Sequence, residues 1–489
     1  MAPSSEKFEE LQRAFVDRVG EDSPADLASG TMVVIPSISF VSEELRKITA
    51  IQYYEERLLC MLLFLDAPDL RVVFVSSMPV DESIINYYLS FLEHPAGASR
   101  RAAFVTVRDP EPRALTEKIL EDHTAITEIR SHIEDVREAF ILPFNVTESE
   151  RRLAEALGVP LYGPHPDLVP LGSKSGSRRV AREAGVPVLP GAEDLFSVAE
   201  ARRAISALRT AGTGVRSVVM KLNDGFSGQG NAILDLASIA EPLQESPTVF
   251  CAEGESWETY ARKIAEGGAV VEQLIQGPHT RSPSVQLRIF PGGRCEIVST
   301  HDQILGGPDE QVYLGCRFPA DGEYRPLIQA HALRVAEVLA ARGVIGSFGI
   351  DLVVARTGRS WDAYLSEINL RLGGTTHTFL MTRRVTHGHY DEASGELIAG
   401  GKAKTYVAGD NFKSPSYVGL TPRQVISALH ESGLAYDAER GTGVTLHLLG
   451  ALPEYGKVGA VCIADDAAEA GSMYAQMGDF LDEIARPRM

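Results

Sequence analysis

Several kinds of residue and segment are scarce in this chain, and each shortage rules something out. Cysteine is thin: Cys60, Cys251, Cys295, Cys316 and Cys462 lie far apart with no CxxC pair. That spacing offers neither a zinc ribbon nor a disulfide framework, and a chain with lone thiols is expected in the reducing cytoplasm. Long apolar runs are missing too. The longest, Leu58 to Leu65, falls far short of the ~20 residues of a membrane helix, and the opening MAPSSEKFEELQRAF lacks a signal-peptide core. Positive charge is in deficit, with 47 Lys and Arg against 66 Asp and Glu, a net charge of −19. Nucleic acids and anionic membranes are held by clustered cations, so neither is expected as a partner. The chain contains no P-loop, GxGxxG fingerprint or internal repeat.

What is present is an ordinary soluble mixture, 489 residues long, enough for two to four domains. Met32 to Ile35, RVVFVS (71–76), AAFVTV (102–107) and AFILPF (139–144) are compact strand-like runs separated by helical patterns. Such alternation predicts a parallel α/β domain over residues 1–165, with one of its helices running from Ser42 to about Leu65. Past Leu171 comes Gly172-Ser173-Lys174-Ser175-Gly176-Ser177, then a short helix closed by Gly185, Pro187 and Pro190. Strand Ser217 to Leu222 leads into a loop, Asn223 to Asn231, holding Gly225, Ser227, Gly228 and Gly230. Glycines let backbone N–H groups close on a phosphate, and Lys221 stands ready to add charge; the plainer alternative is a mobile hairpin. Glu272 interrupts the apolar strand 267–275, and Gln286 and Arg288 share a face of a hairpin strand. The last unit, residues 401–489, is a small α/β region whose helix starts at Thr421-Pro422 and whose His447 is structural.

The most informative stretch is WDAYLSEINLR, Trp361 to Arg371. In an extended chain side chains alternate, so Glu367, Asn369 and Arg371 share one face while Ser366, Ile368 and Leu370 share the other. A carboxylate, a carboxamide oxygen and a guanidinium together suit a divalent cation beside a phosphate. The strand 346–354 returns antiparallel to it, bringing Asp351 near Glu367 as a third oxygen donor.

Taken in order, Lys174, the Lys221–Asn231 loop, the Glu272 strand, Asp351 and Glu367-Ile368-Asn369-Leu370-Arg371 resemble the ATP-grasp superfamily of carboxylate–amine ligases over about 171–385. The resemblance implies a multidomain α/β and α+β chain. Its central ATP-grasp fold, 166–400, would clasp ATP between two α+β subdomains, one of them the flap subdomain at about 190–275. Lys174, Lys221, Gly225, Ser227, Gly228 and Gly230 would contact phosphates, and Glu272, Gln273 and Ile275 would line the adenine and ribose. Asp351, Glu367 and Asn369 would hold one or two Mg²⁺, with Mn²⁺ as a substitute, while Lys221, Arg288 and Arg371 would stabilise the transferring group. More narrowly the chain is similar to the peptide ligases of pheganomycin biosynthesis, through the string Glu367 to Thr378, through Gly441-Thr442-Gly443 and through Leu452-Pro453-Glu454-Tyr455-Gly456-Lys457. That likeness implies amide formation between a guanidino-bearing aryl amino acid and the amino terminus of a peptide, through an acyl phosphate, in antibiotic biosynthesis. Ligation of a small metabolite and direct phosphoryl transfer are the alternatives, and a monomer or a homodimer fits either. A long amine substrate would need an open groove, for which the loop Gly306 to Arg317 is one candidate.

Overall fold

The β-branched runs of the first third form a parallel sheet. In the computed structural model, which describes residues 6–20, 29–40, 42–211, 215–225, 228–307 and 312–486, it comprises β1 (Ser29–Ile35), β2 (Asp69–Ser76), β3 (Ala102–Thr106) and β4 (Ala139–Pro143). The order is β3-β2-β1-β4, every pair parallel. Parallel neighbours need crossovers, and helices such as Glu82–Leu89 and Leu115–Glu121 lie in them, while Glu148–Leu157, after β4, helps cover the sheet. The long helix expected from Ser42 is not formed. One turn of α-helix, Ser42–Leu45, is followed by a tighter 3₁₀ stretch, Ile51–Asp66. Ala50, at φ 64°, breaks the path between them, and everything from Leu58 to Leu65 is buried, so the segment packs on all sides and shows no single apolar stripe.

A second sheet is antiparallel and five-stranded, with β5 (Gly191–Leu195), β6 (Ser217–Leu222), β7 (Asn231–Asp235), β8 (Thr248–Phe250) and β9 (Ala269–Gln273) in the order β5-β9-β6-β7-β8. Helices Val198–Thr210 and Trp257–Gly267 contribute Ile205, Tyr260 and Ile264 to its own apolar core.

The third sheet has eleven strands. Its spine runs β10 (Thr280–Arg281), β14 (Gly346–Thr357), β11 (Pro283–Ile289), β12 (Cys295–Gly306), β13 (Val312–Phe318), β18 (Lys402–Lys413), β17 (Glu396–Ala399), β16 (His389–Asp391). Strand β15 (Ser360–Asn369) joins β14, and β20 (Lys457–Ala464) joins β18 and carries β19 (Gly443–His447). The C-terminal α/β unit therefore shares its sheet with the centre of the molecule. One apolar core runs from Phe15 and Leu62 through Leu287 and Ile350 to Val444 and Leu481. Most of the stretch from Gly306 to Arg317, expected as a loop, belongs to strands β12 and β13, whose pairing includes Gly306 opposite Val312.

Candidate active site

Between the second and third sheets lies a cleft of about 440 Å³. On one wall, β14 and β15 pair with Asp351 opposite Glu367 and Gly349 opposite Asn369. The Asn369 amide donates to Asp351 Oδ2 at 2.8 Å, Gln303 Nε2 donates to Asp351 Oδ1 at 2.9 Å, and Arg371 Nη2 donates to Asn369 Oδ1 at 2.7 Å. The Lys174 ammonium forms an ion pair with Glu367. Burial, and then the charge of Glu367, pushes the Asp351 carboxyl up to about 6, while burial holds Arg371 below its ordinary value. Two crowded carboxylates and a carboxamide oxygen are a hard-oxygen set whose repulsion a divalent cation would relieve, so these residues fit Mg²⁺ or Mn²⁺.

The register of β15 holds a surprise. Asp351 faces Glu367 but Leu352 faces Leu365, so β15 carries one extra residue, Ser366. The bulge turns Ser366, expected on the packing face, onto the cleft, where its hydroxyl accepts from Lys221 Nζ at 3.0 Å.

On the opposite wall Lys221 lies 2.8 Å from Glu272 Oε2. Glu272 is 1% exposed and is also paired with Arg178. Burial works against its charge, but Lys221 and Arg178 together hold its carboxyl below the ordinary value. Glu272 is therefore not on the cleft wall where a ribose would meet it, and its partners explain why a carboxylate interrupts an apolar strand. Gln273, Leu274 and Ile275 do line the cleft. Gly225 and Gly228 line it as well, Gly228 at φ +78°, whereas Gly230 packs against Gly225, and Ser227 lies outside the described residues. A Cβ on Gly230 would come within 2.9 Å of the Gly225 Cα. The Ser173 hydroxyl caps the helix Lys174–Glu183 by accepting from Gly176 N, and Ser175 N donates to Asn223 Oδ1 at 3.0 Å, tying this helix to the loop.

Arg288, which the resemblance puts on the transferring group, does not line the main cleft. It lies on the Gln286 face, but further along β11, where it pairs with Glu296 at 3.1 Å and lines a separate apolar pocket with Phe64 and Tyr162. Gln286 lines that pocket too, and the main cleft as well. Sequence reasoning also missed Gln303, Ser366 and the far end of the cleft, Tyr54, Arg57, Asp410, Lys413 and Lys457. The only advance signal was for Gln286, noted as sharing a strand face.

Behind that far end His377 and His447 flank Asp410, with ring centroids 4.5 Å apart. His447 Nε2 is 2.6 Å from Asp410 Oδ1, matching a structural histidine, and burial holds the His377 ring far below its ordinary pKa and thus neutral. The three could ligate a metal by spacing, but the Arg57 guanidinium is already paired with Asp410.

Three family descriptions match this chain: "Pre ATP-grasp domain" over 59–159, "IQCH-like, ATP-grasp" over 168–248 and 243–393, and "PGM1 C-terminal domain" over 424–476. Among solved structures, the fold is similar to a biotin carboxylase from Campylobacter jejuni in complex with β,γ-ATP, with TM-score 0.56 and 15% identity over 94% of this chain and 95% of that one. It is also similar to an ADP complex of the purK N5-carboxyaminoimidazole ribonucleotide synthetase, with TM-score 0.53 and 13% identity over 94% and 98%. L-propargylglycine--L-glutamate ligase of Streptantibioticus cattleyicolor is 32% identical over 461 residues, 91% of this chain and 93% of that protein. With a third of its residues shared along nearly the whole of both chains, and the fold and cleft that go with them, this chain belongs to the family of that enzyme, among the ATP-grasp ligases that form C–N bonds.

Proposed function

We propose that the protein spends ATP to join a carboxylate to an amine through an acyl phosphate, as a cytoplasmic step in building a peptide natural product. The observation that carries this reading is the juxtaposition, in one cleft, of Asp351, Glu367 and Asn369 with Lys174, Lys221 and Arg371. A divalent cation held by Asp351, Glu367 and Asn369 would neutralise charge on the terminal phosphates of the nucleotide. Lys174 and Lys221 are then free to exchange their present carboxylate partners for phosphate oxygens, and Gly225 and Gly228 let the backbone come close. Gln273, Leu274 and Ile275 flank the base. The acid's oxygen attacks the γ-phosphorus, ADP leaves, the amine attacks the acyl carbon, and phosphate departs with the bond electrons as the amine loses its proton. Arg371, held against Asn369, faces the transferred group and stabilises its developing charge. Enclosure between two sheets keeps water from the activated acid.

The relative's name states that it joins L-propargylglycine and L-glutamate, which favours amino acids, or the end of a short peptide, as substrates here. The guanidino-bearing acid implied by the family resemblance suits the cleft poorly, because seven cationic side chains and three carboxylates line it. The test is ADP and phosphate release from acid–amine pairs with ATP and Mg²⁺. A ligase needs both partners and yields an amide by mass spectrometry; a stable phosphorylated acceptor would make it a phosphotransferase.

A further inference from the structure

Past Asn369 the cleft continues to an end that the nucleotide and ion sites leave unused. Tyr54 and Arg57 from the Ile51–Asp66 segment, Asp410 and Lys413 from β18, and Lys457 from β20 build it. Lys413 and Lys457 are direct partners across the β18–β20 ladder. Like charges in opposite positions of an antiparallel pair repel, so this pairing is unfavourable unless something anionic comes between them. Lys457 is only 6% exposed, its Nζ donates to the Tyr54 hydroxyl at 2.7 Å, and among the described residues it has no carboxylate partner. A buried ammonium without a counter-charge is costly.

Arg57 is nearly as buried, with Asp410 as its one counter-charge among the described residues. It is 7% exposed, its guanidinium lies 4.2 Å from the centre of the Tyr54 ring, and among the described residues its buried Nε has no acceptor. Asp410 does not balance the lysines, since Arg57 takes one of its oxygens and His447 the other. Three cations thus face one end of a cavity in a chain whose net charge is −19. That arrangement is held against the trend of the whole molecule.

We propose that this end is the substrate subsite for an acidic amino acid, and that Arg57, Lys413 and Lys457 clamp the carboxylate that is not activated. The inference rests on the ligase reading and names its substrate class. Of the two carboxylates, one sits at the Asn369–Arg371 end and reacts while the other anchors the molecule, so the clamp selects dicarboxylates over their amides and over cationic acids. Charge-assisted contacts in a shielded cavity are the stronger kind, and an amide or a guanidinium in place of the anchored carboxylate leaves the clamp unpaired.

The experiment is calorimetric titration of the full chain, saturated with ADP and Mg²⁺, with L-glutamate, L-aspartate and glutarate, with L-glutamine and L-asparagine, and with L-arginine and inorganic phosphate. At least one dicarboxylate is expected to bind tenfold or more tightly than its amide and than L-arginine. Lys413→Met and Lys457→Met are each expected to erase most of that preference while ADP affinity changes less than twofold. Lys413 is exposed, so the first variant is safe for folding, and an unchanged melting temperature qualifies the second. Absence of binding by every dicarboxylate, equal binding of acid and amide, a preference that survives both substitutions, or displacement of the dicarboxylate by equimolar phosphate would each overturn the proposal. Because the readout is binding without turnover, a failure of every acid–amine pair to release ADP would strike the ligase reading separately.

Discussion

The sheet that carries Lys221 and the sheet that carries Asp351 and Glu367 bury their apolar residues in different places. The five-stranded sheet keeps a small core to itself, with Met220, Tyr260 and Val271 at its centre. The eleven-stranded sheet shares one core with the face of the N-terminal parallel sheet and with the C-terminal unit. Between the two walls the links are chiefly polar: Arg178 to Glu272, Lys221 to Ser366, Ser175 to Asn223, and Lys263 to Glu44 at 3.2 Å. Apolar burial holds the large body together because exposing it costs about 25 cal/mol per Å². Ion pairs and hydrogen bonds can instead be exchanged for ones to a ligand, which is what a wall that must accept a triphosphate requires.

The difference can be broken or sharpened in four ways. The largest effect is expected from Glu367→Ala or Asn369→Ala, which strip an oxygen donor from the rigid wall: ADP release should fall by about 10²–10³-fold or more, with the melting temperature unchanged. Turnover at the wild-type rate would contradict the metal assignment. Leu287→Ala, in the shared core, should cost about 2–5 kcal/mol, read as an earlier urea midpoint reported from all parts of the body. Arg178→Met leaves Glu272 buried with Lys221 alone and should cost about 3 kcal/mol. In hydrogen exchange that loss should appear in β5, β6 and β9 and spare β11 and β14; uniform loosening would mean the two walls are one unit after all.

The smallest effect concerns the body alone. Burial, outweighing hydrogen bonds from Ser77, raises the Glu55 carboxyl to about 7, and burial raises its neighbour Glu56 to about 8, against an ordinary value of 4.5. The native state prefers both groups protonated. Their contribution to stability is therefore full below pH 4.5 and is lost as pH rises through 7 to 8. Glu56→Gln keeps an acceptor for the Gly450 N–H, now 2.9 Å from Glu56 Oε2, and cannot ionise. Its melting temperature should match wild type near pH 4.5 and exceed it by a few degrees at pH 9, a gap that calorimetry across the range would trace.

The amino-acid order alone made the alternating strands legible, and with them the nearness of Asp351 to Glu367 though not their register, because Glu367, Asn369 and Arg371 alternate plainly at the end of WDAYLSEINLR while the bulge at Ser366 is not written in it. Where local pattern and tertiary context part company, the structure departs from the reading. Half of the segment Ile51–Asp66, Leu58 to Leu65, is apolar at every position, so nothing in its periodicity tells a 3₁₀ path from an α-helix. Glu272 looked like a ligand because its partners, Lys221 and Arg178, are 51 and 94 positions away. Arg288 shares a face with Gln286, yet Gln286 lines both cavities and Arg288 only the second, and no spacing rule marks where a cavity stops. The basic far end was hidden because its members come from three distant segments.

One small residue, Ser366, sets the phase of the whole strand β15. Upstream of Ser366 the odd-numbered Ala363 and Leu365 point into the core, and downstream the odd-numbered Glu367 and Asn369 point into the cleft. Parity is inverted at that single position. Removing Ser366 would carry the acidic and amide groups round to the oily side, or else drive Ala363 and Leu365 out of it, so length at this point is as strictly held as identity is at its neighbours.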